Sequence, residues 1–237
     1  MPFRPCFAPN PRRLDDGHEW VVYPFIAGSA YEGAAQQIED AGALLGAIHA
    51  VDVPELAGLE RHDYPVARTN EWIAGHAERA KAQMHAQTAV RFSALLEERT
   101  TQCEALPALP LAGGSFDFKA ANLVFTPEPV LVDPDHAALL PRPYDLAIAA
   151  LLFHCDAPQA PARLWTREEW RCFLASYESR IELAPVERAH WLAVLRLAWI
   201  DQGVWLLGNF PEGWADTRET QFLEDLATCD LERFALD

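Results

Sequence analysis

Between Ser115 and Asp135 the chain reads SFDFKAANLVFTPEPVLVDPD, with Asp117, Lys119 and Asn122 inside six positions and Asp133 and Asp135 beyond a short apolar run. A carboxylate such as Asp117 can accept a proton from an attacking hydroxyl. The amide oxygen of Asn122 and the carboxylate of Asp133 are hard oxygen ligands of the kind Mg²⁺ takes together with substrate phosphates. Asp and Asn are also common loop residues that bond their own backbone, so the surrounding pattern has to carry the functional reading. NLVF and VLVD flank Thr126-Pro127-Glu128-Pro129, which predicts a β-hairpin. Such a hairpin returns Asp133 toward Asn122 and Asp117, and a loop fixed by regular elements is a favoured place for chemistry.

The elements that must position this loop follow from hydrophobic period and punctuation. PNPRRL and EWVVYPF, joined by Asp15-Asp16-Gly17-His18, predict a first hairpin, the Asp-Gly step supplying the positive φ of a tight turn. From Ala34 to Ala50, the apolar residues Ile38, Ala41, Leu45 and Ile48 form one helical stripe. Two more helices are expected between Val66 and Leu106, broken near His85, and the chain turns helical again after Asp145. Thr166 with Glu169 forms a capping-box pattern, Pro185 suits a first helical turn, and Gly208 is a plausible stop. The expected class is α+β, a mainly helical body around a functional hairpin.

Composition narrows the function. The chain has 237 residues, half of them hydrophobic, enough for one substantial core or two unequal ones. A net charge of −16 without a basic, aromatic-interleaved run argues against a nucleic-acid partner. The same charge favours a cationic small-molecule substrate, although acidity also serves solubility alone. MPFRPCFAPNPRR lacks the apolar segment of a signal peptide, and LAIAALLFHC falls well short of a membrane span, so a cytoplasmic protein without a membrane partner is expected. The five cysteines, Cys6, Cys103, Cys155, Cys172 and Cys229, are scattered without a CxxC pair. They suggest neither a disulfide framework nor a zinc site.

DFKAAN followed by LVD resembles the catalytic and metal-binding loops of the aminoglycoside phosphotransferase and choline kinase family, which has a protein-kinase-like fold. Three further stretches support the resemblance: WVVYPFIAG is similar to the last small-lobe strand and hinge, QQIEDAGALLGAIHAVD to the helix that follows, and RPYDLAIAALL to a Tyr-Asp-Leu-Ala helix start. The resemblance implies ATP and Mg²⁺ as cofactors. It makes Asp117 the catalytic base, Lys119 a contact to the transferred phosphate, and Asn122 and Asp133 metal ligands; Asp135, where the chain departs from the family, could share the metal or replace Asp133 as its principal ligand. Tyr23 and Phe25 in the hinge stretch become nucleotide contacts. It further implies that residues 1–28 are a remnant of the N-terminal lobe, most of which is missing, and that residues 29–237 form the helical C-terminal lobe with the catalytic loop at 115–135.

The chain also departs from the family. Ser115-Phe116 stands where the family carries His-Gly before the base, so the loop geometry is expected to differ. Pro134-Asp135-His136 follows the metal Asp, and His136 is expected to be structural, because an imidazole suits zinc better than magnesium. The residues ahead of Trp20 are too few for a glycine-rich hairpin and a lysine-bearing strand, and the only lysines are Lys81 and Lys119. Three explanations stand: a shortened phosphotransferase, a kinase-like binding protein without activity, or a different element clamping nucleotide, to which Arg12 and Arg13 could add charge. A distant further class is a metal-dependent hydrolase using Asp133, Asp135 and His136. At the substrate end, residues 191–214 carry Trp191, Trp199, Trp205 and Trp214 with Asp201 and Glu212. Asp201 and Trp205 are the expected substrate contacts, an acid and an aromatic face suited to an ammonium group, although Trp at helical spacing is often core. Asp145 is expected to cap its helix or brace the loop.

Overall fold

The hairpin that carries the loop is present in the computed structural model, which describes residues 12–13, 19–20, 22–56, 58–62, 94–95, 98, 106–155, 159–209 and 217–236. Numbering strands in chain order, β1 (Arg12–Arg13) pairs antiparallel with β2 (Glu19–Trp20), as the first Asp-Gly signal predicts. The expected strand through Phe25 is shorter than its apolar pattern suggests. Residues 22–26 alternate half-buried and exposed, the period of extended chain, but form no ladder. Ser29 then pairs with Phe125, each donating its N–H to the other's carbonyl at 3.0 Å.

The second pair to form in sequence is β3 (Leu111–Gly114) with the later β6 (Ala138–Pro141). On the far edge of β6, Leu139 donates to Glu60 O and His62 donates to Leu139 O, both at 2.8 Å. This small sheet was not legible: LAGG and ALLP are too short, and too rich in Gly and Pro, to show a period of two. The hairpin itself is β4 (Leu123–Phe125) and β5 (Pro129–Leu131), with Leu123 opposite Leu131. Pro129 opens β5 rather than belonging to the turn, in keeping with its missing N–H at a strand start. Leu123, Phe125 and Leu131 are buried, so one face of the hairpin belongs to the core.

The helical body supports these strands. α1 (Ala35–His49) buries Ile38, Ala41 and Leu45, with Ile48 partly buried, and crosses α3 (Arg167–Glu178) closely. A Cβ on Gly42 would stand 2.2 Å from Phe173 O, and one on Gly46 2.5 Å from Tyr177 O. The two glycines therefore set that approach. α2 (Arg142–Leu152) is buried from Pro143 to Leu151 on every face, the mark of a central helix. α3 starts on the predicted capping box: Thr166 Oγ1 accepts from Glu169 N at 3.2 Å and Glu169 Oε2 accepts from Thr166 N at 2.8 Å. Pro185 opens the short α4 (Pro185–Ala189), and α5 (Trp191–Asn209) runs one residue past Gly208, the expected stop. α6 (Thr217–Thr228) follows.

Trp165, Trp170 and Trp199 are fully buried, and Trp170 stacks on Trp191 at 5.7 Å. The result is the helix-rich α+β architecture of a protein-kinase-like fold. Of the two helices expected between Val66 and Leu106, the break near His85 lies outside the described residues, whereas Ala94, Leu95 and Glu98 are helical. Among the described residues no helix is long and apolar enough to cross a membrane.

Candidate active site

The loop after β3 is held by one buried carboxylate. Asp145, in the first turn of α2 and wholly buried, accepts the backbone N–H of Ser115 on Oδ2 at 2.9 Å and that of Phe116 on Oδ1 at 2.8 Å. His49 Nε2 reaches the same Oδ2 at 3.1 Å, and His49 Nδ1 lies 2.9 Å from the Tyr177 hydroxyl. A carboxylate only accepts, so Nε2 carries the proton toward Asp145, and Nδ1 faces the Tyr177 hydroxyl. Burial raises the Tyr177 pKa, so the hydroxyl keeps its proton. Asp145 therefore braces the loop, one of the two roles expected of it, and α2 starts without a side-chain cap.

Phe116 occupies the left-handed region with φ 59, a conformation that costs a non-glycine residue about 1–2 kcal/mol. The backbone shape that glycine adopts freely is present here in a phenylalanine. Its ring is stacked on His62 at 5.2 Å and 14° and on Tyr144 at 6.0 Å and 24°. Ser115 Oγ is buried and makes no hydrogen bond among the described residues.

Beyond this brace the three polar residues of the loop come together. Asn122, in a single 3₁₀ turn at Ala120–Asn122, donates from Nδ2 to the Asp117 carbonyl at 3.0 Å and to Asp117 Oδ2 at 2.9 Å. Lys119 Nζ stands 3.2 Å from the same Oδ2. The two bonds from Nδ2 fix the amide orientation and leave Oδ1 as the oxygen available for a cation. Val132 N donates to Asn122 O at 2.9 Å, so the hairpin register places Asp133 one residue from the partner of Asn122. Asp133, Asp135 and His136 are exposed, and no hydrogen bond or ion pair joins them to Asp117 among the described residues. No group of three or more His, Cys, Asp or Glu able to hold a metal is found among the described residues. A Mg²⁺ site built from one amide oxygen, one or two carboxylates and nucleotide phosphates is a different, harder donor set, and a buried, pre-oriented Asn122 fits it.

The remaining candidates fall on two sides of this loop. Tyr23 and Phe25, the latter 93% exposed, lie on the extended segment that leads into the Ser29–Phe125 bridge, beside β4. Asp201 on α5 accepts from the Tyr144 hydroxyl at 2.5 Å. Burial raises its pKa from the ordinary value, against the lowering effect of that hydrogen bond. Trp205, one helical turn further and 43% exposed, is the tryptophan of this helix that is not core: Trp191 and Trp199 are buried, and Trp214 and Glu212 lie outside the described residues. Sequence reasoning missed His49, Tyr177, His62 and Tyr144 as supports of the loop. The available signal for His49 was a polar side chain four residues beyond Leu45 on the apolar stripe of α1.

Comparisons with known proteins agree with this fold. The solved structure of a choline kinase from Cryptosporidium parvum Iowa II is similar with a TM-score of 0.56 and 17% identity, over 88% of this chain and 71% of that one. A putative aminoglycoside phosphotransferase from Ralstonia eutropha JMP134 gives 0.53 and 12%, over 89% and 73%. A spectinomycin phosphotransferase solved with ADP and spectinomycin gives 0.53 and 15%, over 91% and 72%. No curated protein matches the sequence. The sequence profile of the phosphotransferase enzyme family matches residues 4–192, well over half the chain, and the chain belongs to that family.

Proposed function

We propose that the protein transfers the terminal phosphoryl group of ATP to a hydroxyl of a small, polar, cationic metabolite such as an amino alcohol or an aminoglycoside. The observation that carries this reading is the convergence of Lys119 Nζ and Asn122 Nδ2 on one oxygen of Asp117, Oδ2, within a loop braced by Asp145. Both bonds leave Asp117 Oδ1 to take the proton of the acceptor hydroxyl as its oxygen bonds phosphorus and the bond to ADP breaks. Lys119 offers a positive charge to the phosphoryl oxygens. Asn122 and Asp133, with Asp135 beside them, would hold Mg²⁺, which when bound neutralises nucleotide phosphate charge. Tyr23 and Phe25 flank the nucleotide base from the hinge segment.

The acceptor side is Asp201 with Trp205. A carboxylate withdrawn from water, with Tyr144 as the hydrogen-bond partner it shows, gains from an ammonium group, and an exposed indole one turn away adds a cation–π face. The net charge of −16 steers cations toward the molecule and phosphate polymers away from it. Residues 1–28 would serve the nucleotide side and 29–237 form the helical lobe of a cytoplasmic enzyme. The names of the similar choline kinase and spectinomycin phosphotransferase lend support to a hydroxyl acceptor that also carries an amine.

The test is incubation with Mg²⁺–ATP and a panel of amino alcohols and aminoglycosides, followed by ³¹P NMR. A phosphomonoester appearing in step with ADP supports the reading. ADP with inorganic phosphate alone contradicts it. The second reading, a kinase-like binding protein without turnover, is favoured by the lysine count: Lys81 and Lys119 are the only two in the chain, and Lys119 is already drawn onto Asp117. Saturable binding of an acceptor with no ADP formed would support that reading.

A further inference from the structure

We propose that Phe116 is a positioning residue that couples the acceptor carboxylate Asp201 to the base Asp117 through the stack of its ring on Tyr144, with His62 stacked on it as a second support. The proposal rests on the reading of Asp117 and Asp201 given above. Both stacking partners are anchored. The backbone N–H of His62 is tied to Leu139 O of β6 at 2.8 Å, and Tyr144 is buried in α2 with its hydroxyl on Asp201 at 2.5 Å. The Phe116 ring lies nearly parallel to both, at 14° and 24°.

A bulky residue in the left-handed region is retained only where its surroundings over-determine it. Here they do so from two directions, the ring by the stack and the backbone N–H by Asp145 at 2.8 Å. Phe116 is bonded directly to Asp117, so a change in its backbone torsions turns the base, and a ring held by its neighbours opposes that change. An ammonium group on Asp201 competes for the carboxylate that Tyr144 holds, and any shift of the Tyr144 ring is felt by Phe116. Acceptor occupancy and base orientation are thereby linked without a direct contact between Asp201 and Asp117.

The test uses the full chain with Phe116→Gly, Phe116→Leu, Phe116→Tyr and Tyr144→Phe, their fold checked by near-UV circular dichroism. Glycine accepts φ 59 without strain, so Phe116→Gly isolates loss of the ring, and Phe116→Leu keeps apolar bulk without the stack. The expected result is amide hydrogen exchange at residues 117–119 at least about ten-fold faster in the Gly and Leu variants, with restoration in Phe116→Tyr. For acceptor turnover, the Gly and Leu variants raise acceptor KM and lower kcat with ATP KM unchanged. Tyr144→Phe, which keeps the ring and removes the hydroxyl that competes for Asp201, lowers acceptor KM while kcat holds. Exchange at 117–119 equal to the parent in both ring-loss variants overturns the proposal, as does an equal rise in the KM of ATP and acceptor. If the parent forms no product with any acceptor, the phosphotransfer reading falls, while exchange still decides whether Phe116 holds the loop.

Discussion

Asn122 Nδ2 bonds both the carbonyl oxygen and the carboxylate Oδ2 of Asp117, at 3.0 and 2.9 Å, across five residues of loop. One side chain thus sets the backbone and the side chain of the residue read as the base. Asn122 is itself buried, at 6% exposure, and sits where the loop becomes β4. Asn122→Ala removes both donors and leaves the Asp117 carbonyl unpaired. A loss of about 1–3 kcal/mol in stability is expected, read by urea denaturation, together with loss of turnover. A variant as stable as the parent would show that the amide is not holding the loop.

Asp145→Asn tests the brace from the other side. The carboxylate accepts from Ser115 N, Phe116 N and His49 Nε2, and an amide must turn its NH₂ toward at least one of these donors. The expected cost is about 3 kcal/mol, since bonds to a buried charge are being lost. Denaturation midpoints and exchange at the Ser115 and Phe116 amides check it, and unchanged protection of those amides would contradict the brace.

These two supports differ in how far the sequence disclosed them. Asp117 with Asn122 was legible because the spacing is local and a hairpin signal follows. The Asp145 brace was half legible, as one of two roles. His49 and Tyr177 were not, since the contacts His49–Asp145 and His49–Tyr177 span 96 and 128 residues and leave no local mark. The left-handed turn at Phe116 was hidden for a different reason. Propensity assigns that conformation to glycine, and only the rings of His62 and Tyr144, brought in by β6 and α2, override it. Asp201 drew notice as an acid in an apolar helix, but its partner Tyr144 lies 57 residues away and had no role in the sequence reading.

Acid sensitivity should come from His154. Its Nε2 lies 2.5 Å from the Tyr31 hydroxyl, its ring packs tilted against Trp165 with centroids 4.0 Å apart, and burial pushes its pKa from 6.5 down to about 4 despite the nearby Glu169. Between those values the unfolded chain binds a proton that the folded chain refuses, so stability falls as pH drops from about 6.5 to about 4 and rises with pH across the same window. The contribution is on the order of 3 kcal/mol. Burial alone would raise the Glu169 pKa, but the Arg163 and Thr166 bonds hold it down to about 2, so its contribution is lost between about 4.5 and about 2, overlapping only the acid end of the His154 window. Urea denaturation at several pH values should show His154→Phe less stable at pH 7 yet flatter than the parent from pH 6.5 to 4. Parallel profiles for the two would rule His154 out.

Asp201→Asn should weaken a cationic acceptor by about ten-fold or more in KM, with ATP KM unchanged. Because burial raises the Asp201 pKa, acceptor affinity in the parent should grow with rising pH as the carboxylate ionises, and the variant should lose that rise. Equal KM values for parent and variant would place the acceptor elsewhere.

The role of Asp117 is tested most directly by turnover of Asp117→Asn beside the parent, with Mg²⁺–ATP, an acceptor the parent phosphorylates, and phosphomonoester measured by ³¹P NMR. The substitution keeps the size of the side chain and an acceptor oxygen for Asn122 and Lys119, while removing the group that takes the hydroxyl proton. The expected result is a fall in kcat of about 10² to 10⁴, with the fold and ATP KM retained. Turnover by Asp117→Asn equal to that of the parent would contradict the assignment of the base and the mechanism built on it.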